Sequence, residues 1–369
     1  MTDNLNGNAT DRRLFLKEMA IYSGGLAVAG YATNFGGFLV PTAHAQGVVG
    51  GVEAPTSTAM WRQHVGLELF TVRDQMTDPK SYEGALAKVS EIGYKEVEPA
   101  GGYAGLDPSK EADAKKFRTM LDSYGLSMPS THSGATEGPD LDQQLNGFAI
   151  MGIKYTEISA PRGARGPAPA RAMAPPPSPS ANGIARGPYG NGAVREPAPQ
   201  TMDQVKRRAE ALNTHGKIAQ KFGMKMLVHN HTQEFAPLAD YPDQRPYDII
   251  LANTDPSLVA MQIDIGWASV AGQDILAMFK KNPGRYELWH VKDASGIPHM
   301  TSQMTMAQRM SAADLVPVGL GAVDYKTIFE NAHLAGMKHY CVEQDNANSW
   351  GDSIAAAKTS YENLQKILA

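Results

Sequence analysis

The stretch Leu227-Val-His-Asn-His-Thr-Gln-Glu-Phe235 decides how this chain is read. An apolar run, Met224-Lys-Met-Leu-Val228, leads into it like a strand entering a core, and it stops abruptly at His229, Asn230, His231 and Glu234. Polar groups where a buried strand ends are what an α/β barrel places at the mouth of its active site. Side chains alternate along a strand, so His229 and His231 point the same way. Two imidazoles side by side suit a divalent metal or acid–base work. A pair of solvated loop histidines is the other reading of these two residues alone.

Outward from this stretch, strand-like and helix-like segments alternate. Residues 65–72 read as a first strand, and residues 79–92 as an amphipathic helix with Pro79 in its first turn. Strands follow at 95–98, 126–131 (ending in His132) and 154–158, with helices at 110–124 and 141–151 between them. A helix at 201–222 precedes the His-Asn-His strand. Beyond it come a short helix at 248–253, a strand at 258–265, a helix at 275–280 and a strand at 286–291. A helix at 325–334, a strand at 338–342 and a helix at 353–368 complete the chain. Eight strand–helix units argue for a parallel (β/α)8 TIM barrel over residues 61–369. A doubly wound sheet is the alternative, weakened because no Gly-x-Gly-x-x-Gly follows the first strand.

Residues 161–200 break the rhythm: 10 of the 24 prolines and five arginines fall between Pro161 and Pro199. Such composition cannot build a packed core and reads as an extended insertion. The chain has 369 residues, 42% hydrophobic and 20% charged, with a formal net charge of −4. That balance offers no general attraction to nucleic acid. The single cysteine, Cys341, excludes an intramolecular disulfide and a multi-cysteine zinc site within one chain.

At the N-terminus, Asp11-Arg-Arg-Leu-Phe-Leu-Lys17 resembles a twin-arginine export signal, with Asp11 where Ser or Thr is usual. Ala43-His-Ala45 before Gln46 is a small-x-small cleavage site. Residues 1–45 are therefore expected to be a signal peptide and 46–60 a linker. The implied partner is the twin-arginine export machinery and the implied location is periplasmic or otherwise exported. The Gly-rich segment 19–40 is too weakly apolar for a stable membrane anchor.

The strand ends carry a consistent set of groups. Glu68 and Arg73 lie at the first strand, Glu98 at the second, His132 at the third and Glu157 at the fourth. His229 and His231 close the fifth, Asp264 the sixth, His290 and Lys292 the seventh, and Glu343 the eighth. Each alone is readily a structural group. Gathered in one mouth they would repel and resist desolvation unless charges pair or a cation collects them.

The ordered motifs Gly66-Leu-Glu-Leu-Phe-Thr-Val-Arg73, His229-Asn-His-Thr-Gln-Glu-Phe235, Gln262-Ile-Asp-Ile-Gly-Trp267, His290-Val-Lys-Asp293, Gly319-Leu-Gly321 and Val342-Glu-Gln-Asp345 resemble the sugar phosphate isomerase/epimerase family. The resemblance covers nearly all of the chain after the signal segment, except the proline-rich insertion. It implies the xylose isomerase-like TIM barrel and one divalent ion held by Asp264, His290, Glu343 and a fifth-strand group. His229 stands at that last position, where many relatives carry Glu, with His231, Glu234 and Glu157 as substitutes. Mixed nitrogen and oxygen ligands suit manganese first, with magnesium, cobalt and zinc as alternatives.

The expected activity is proton removal next to the carbonyl of a keto sugar or polyol, ending in isomerisation, epimerisation or elimination. The elimination alternative follows a resemblance to keto-inositol dehydratases. Glu343 or His231 would move the proton, and Lys292 would hydrogen-bond a substrate oxygen. His132, Glu98, Glu68, Arg73 and Trp267 are the candidates for substrate contact. An abasic-site endonuclease is disfavoured by the acidic balance, and a non-catalytic sugar-binding barrel by the full carboxylate–histidine set. Gly319-Leu-Gly321 is either a phosphate cradle or a plain turn, and homo-oligomerisation stays open.

Overall fold

Short strands, most followed by a helix, pair in parallel and close on themselves. The structure, a computed structural model, describes residues 58–160, 196 and 198–369. The expected signal peptide, the linker as far as residue 57 and all but the last residues of the insertion lie outside the described residues. The strands are β1 (Gly66–Glu68), β2 (Glu96–Glu98), β3 (Ala135–Thr136), β4 (Tyr155–Thr156), β5 (Ile158–Ser159), β6 (Lys225–His229), β7 (Val259–Asp264), β8 (Leu288–Val291), β9 (Asp293–Ala294), β10 (Leu315–Val316) and β11 (His339–Val342).

Seven of these form one sheet in the order β2-β1-β11-β8-β7-β6-β4. Residues 126–131 close the gap between its two edges. The Val97 N–H donates to the Ser127 carbonyl at 2.9 Å and the Thr131 N–H to the Tyr155 carbonyl at 3.2 Å. Eight strand positions therefore complete an α/β barrel. The third position is an extended segment with isolated bridges rather than the expected regular strand. Pro129 has no N–H for a continuous ladder there.

Register sorts the interior into layers. Lys225, Leu227 and His229 alternate with outward residues on β6, and so face the axis. Across the ladder, Leu227 pairs with Ala260, His229 with Gln262, and Asp264 with His290. A cluster of Tyr155, Leu227, Ala260 and Leu288 fills the middle of the barrel, while the larger core lies between strands and helices. Beneath the plug, buried Glu287 accepts from the Tyr155 hydroxyl at 2.8 Å, pairs with Lys338 at 2.7 Å and also pairs with Lys225.

Several expected boundaries move, each for a local reason. The first strand stops at Glu68, and Leu69–Gln75 is a 3-10 helix. Its turn is held by Arg73, whose guanidinium lies 3.9 Å from the centre of the Phe70 ring and donates to the Phe70 carbonyl. The sixth strand ends at Asp264 because that side chain caps a helix at Ile265–Val270, accepting from the Trp267 N–H at 2.8 Å. The expected helix 325–334 breaks at Asn331 into Tyr325–Glu330 and Ala332–Ala335. Residues 293–316 form an unexpected excursion, with β9 antiparallel to β10 and a helix at Met306–Ala312. Among the described residues no helix is long and apolar enough to cross a membrane.

The Glu287 pairs give the first test. Burial raises this carboxyl, but Lys225 and Lys338 outweigh it and hold it below the usual range. Its contribution is thus complete above the unfolded carboxyl pKa and is lost as pH falls through the lower folded value. Glu287→Ala is expected to cost roughly 2 kcal/mol near neutral pH, less than a fully enclosed pair because Lys338 is half exposed. Denaturant unfolding of parent and variant from about pH 7 to about pH 2 should show the difference shrinking in acid. A constant difference would remove the ion pairs from the account.

Candidate metal centre and active site

Parallel register places the key side chains at one level of the barrel mouth. His229 ends β6, Asp264 ends β7, His290 lies near the end of β8, and Glu343 directly follows β11. One ligand atom from each of these four residues lies within 4.8 Å of the others. Ligands on a cation with bonds of about 2.1 Å are at most about 4.2 Å apart, so only a small inward adjustment is needed.

The bonding state of those atoms provides the fit test. His229 Nε2, Asp264 Oδ2, His290 Nδ1 and Glu343 Oε2 are buried and lack an aligned hydrogen-bond partner. They crowd at ion-pair range all the same: His290 Nδ1 is 2.7 Å from Glu343 Oε2, and His229 Nε2 is 3.5 Å from Asp264 Oδ2. Two imidazole nitrogens and two carboxylate oxygens converging without aligned hydrogen bonds fit a divalent ion.

A surrounding layer aims these groups. Glu98 Oε1 accepts from His290 Nε2 at 2.6 Å, which leaves Nδ1 facing the four-atom cluster. Gln262 donates to Glu98 Oε2 at 2.8 Å and its carbonyl oxygen lies 2.8 Å from His132 Nε2. Glu98, His132 and His290 also come close enough to suggest an ion, but their facing atoms already bond one another. That trio supports the centre rather than forming a second one. Asn230 clamps the Asp264 main chain, accepting from its N–H at 3.0 Å and donating to its carbonyl at 3.2 Å.

Lys292 is fully buried, with Nζ 3.0 Å from both Asp264 Oδ2 and Glu343 Oε2 and 2.7 Å from Asp345 Oδ2. Gly266 permits this approach, since a Cβ there would sit 2.4 Å from the Lys292 carbonyl oxygen. Burial disfavours the ammonium, yet Asp264, Asp345 and Glu343 together raise its pKa well above the usual value. The same lysine and His290 overcome the burial of Glu343 and hold its carboxyl well below the usual range. His231 is pushed down to about 3 by burial, then by His229 and Lys292. Burial lowers His290, but Glu343 and Glu98 more than offset this and push it up to about 10.

Of the other expected site residues, Glu157 Oε1 lies 3.4 Å from His132 Nδ1, and Glu234 accepts from the His231 N–H at 2.8 Å. Neither belongs to the four-atom cluster. Glu68 is buried at the mouth, level with Glu98 on the neighbouring strand. Arg73 donates to the Asp345 carbonyl at 2.8 Å. Trp267 is buried beneath the mouth, its ring centre 4.9 Å from Lys292 Nζ. Sequence reasoning assigned no role to Asn230, Gln262 or Asp345, although all three stand inside quoted motifs; a polar residue one or two places from a ligand was the available signal.

The imidazolium at His290 must give up a proton before Nδ1 can ligate, so binding is expected to release about one proton at neutral pH and to tighten as pH rises. Calorimetric titration of manganese in buffers of different ionisation enthalpy measures this directly. Heats independent of the buffer would refute it. Asn230→Ala, which keeps every ligand, should weaken the metal about 10- to 100-fold, and unchanged affinity would show that the clamp does not position Asp264.

No protein-family model matches the chain. Over 144 residues it is 27% identical to an inosose dehydratase of Geobacillus thermodenitrificans, a stretch that is 37% of this chain and 47% of that enzyme. The chain thus spans about half the length of the curated relatives it matches. A sugar phosphate isomerase/epimerase from Parabacteroides distasonis superposes with a TM-score of 0.55 at 19% identity, covering 82% of this chain and 93% of that one. A xylose isomerase-like TIM barrel protein from Mycobacterium smegmatis, solved in complex with magnesium, gives a TM-score of 0.53 at 14% identity, covering 85% and 98%. The fold is that of the xylose isomerase-like TIM barrels.

Proposed function

We propose that the protein is a divalent-metal-dependent enzyme that removes a proton next to the carbonyl of a keto sugar or polyol. The observation that carries this reading is the convergence of four buried, unaligned donor atoms from His229, Asp264, His290 and Glu343. Partial likeness to an inosose dehydratase supports the substrate class. When bound, the ion supplies Lewis-acid polarisation of the carbonyl oxygen; the mixed donor set suits manganese first, then magnesium, cobalt or zinc.

The chain's own residues supply the rest. Glu343 stays a carboxylate and takes the proton beside the carbonyl. Lys292 stays an ammonium enclosed by Asp264, Glu343 and Asp345, and its positive charge behind them favours the oxygen on which negative charge grows. His231, a neutral imidazole at working pH, accepts or returns a proton from the opposite side. His132, more open than Glu98, orients substrate hydroxyls, and Glu98 acts through it and through His290. Return of the proton gives isomerisation or epimerisation.

Glu68 favours elimination as a second reading. Burial, and then the neighbouring Glu98 carboxylate, push its carboxyl well above the usual range. Its Oε2 has no hydrogen-bond partner. A carboxyl at the mouth that holds its proton more strongly than usual suits protonation of a departing hydroxyl. The twin-arginine-like motif at Asp11–Lys17 supports export of the enzyme to the periplasm.

Glu343→Gln is expected to abolish exchange of the substrate's α-hydrogen with solvent deuterium, followed by proton NMR on keto-inositols and keto sugars. Undiminished exchange would overturn its role as base. Glu68→Gln separates the two outcomes: under elimination it should slow water loss by about 10²-fold while leaving exchange intact. An equal effect on both would withdraw Glu68 as the acid.

A further inference from the structure

The Asp293 carboxylate accepts four main-chain N–H groups, two on each oxygen. Oδ2 takes those of Gly319 at 2.9 Å and Gly321 at 3.1 Å, and Oδ1 takes those of Ala294 at 2.9 Å and Val323 at 3.2 Å. The side chain is 1% exposed. Gly319 adopts φ +84°, and a Cβ on Gly321 would lie 2.1 Å from Asp293 Oδ1. Converging N–H groups from a glycine-bearing loop form an anion-binding concavity. In α/β barrels, the loops after the seventh and eighth strands are a frequent place for a substrate phosphate. This loop follows β8, the seventh barrel strand, and Asp293 follows the buried Lys292 directly.

We infer that the loop from Gly319 to Val323 is an anion cradle filled by the chain's own Asp293, so that the adjoining site takes an uncharged polyhydroxy ketone rather than a sugar phosphate. The charges around the centre agree. Lys292 is enclosed by Asp264, Glu343 and Asp345, and Arg73 donates to the main-chain carbonyls of Phe70 and Asp345. His290 is likewise engaged by Glu98 and Glu343, so each described cation at the mouth is already met by carboxylates or main-chain carbonyls and none is left for an incoming phosphate. The inference deepens the proposed reaction and rests on it for where the substrate lies.

The test uses the full-length protein, with inorganic phosphate as the probe and thermal unfolding at matched ionic strength as the readout. Asp293→Ala should lower the melting temperature by several degrees, and millimolar phosphate should restore part of the loss while leaving the wild type unmoved. Asp293→Asn, which keeps the size but turns one acceptor into a donor, should show a smaller fall and weaker rescue, and serves if the alanine variant does not fold. A wild type that gains from phosphate as much as the variants do, or variants that gain nothing, overturns the cradle. The deuterium-exchange assay then compares a keto-inositol with fructose 6-phosphate on the wild type. Exchange with the keto-inositol alone is expected, and preference for the phosphate ester overturns the substrate class. The phosphate arm involves no turnover, so its failure is distinct from failure of the proposed reaction.

Discussion

Charge balance in a nearly dry barrel mouth governs this structure. Glu68, Glu98, Asp264, Glu343 and Asp345 are all at least nine-tenths buried there. A buried carboxylate without a partner is costly enough that it takes up a proton or recruits a cation. Both solutions operate. Lys292 serves Asp264, Glu343 and Asp345, and protonated His290 lies between Glu98 and Glu343. Glu68, at ion-pair distance from no cation among the described residues, has its carboxyl pushed well above the usual range by burial and then by Glu98. Proton and metal ion are therefore alternatives at His290 Nδ1, which ties the chemistry of the centre to pH.

Such a mouth needs a rigid frame, yet the strands beneath it have only two to six residues. Stiffness comes instead from side chains that bond across strand ends. Asn230 joins the end of β6 to the main chain of β7, and Asp264 starts the next helix with one oxygen while its other oxygen faces the centre. Gln262 and Glu98 tie the sixth barrel strand to the second across the barrel. Each ligand is thus held by a neighbour that does not itself ligate, which restricts ring tautomer and carboxylate direction.

Much of the barrel was legible because strand-ending polar residues recur with helical segments between them. His229, Asp264, His290 and Glu343 stood out as groups that a buried strand does not normally end on. The third strand was harder: residues 126–131 carry strand-like side chains, but Pro129 interrupts the ladder. The excursion at 293–316 carried no clear period in the sequence. Partners far apart in the chain were invisible in principle. Nothing in Gly319-Leu-Gly321 announces that its N–H groups serve Asp293, 26 residues earlier than the first of them. Glycines in a loop after the seventh strand suit a phosphate equally well until that partner is seen.

The two ends of the barrel show why ionic groups alone do not mark a functional site. At the floor, Glu287 meets Lys225, Lys338 and the Tyr155 hydroxyl, and each of its oxygens has a partner. That cluster is closed, and it stabilises the barrel without retaining any capacity to bind. At the mouth, similar residue types are packed as tightly, but His229 Nε2, Asp264 Oδ2, His290 Nδ1 and Glu343 Oε2 lie close without aligned bonds. Folding leaves such atoms only where the rest of the structure holds them against their own relaxation. The difference between the ends is alignment: the floor pairs are hydrogen-bonded, whereas the mouth atoms meet mainly as charges, and that difference locates the chemistry at the mouth.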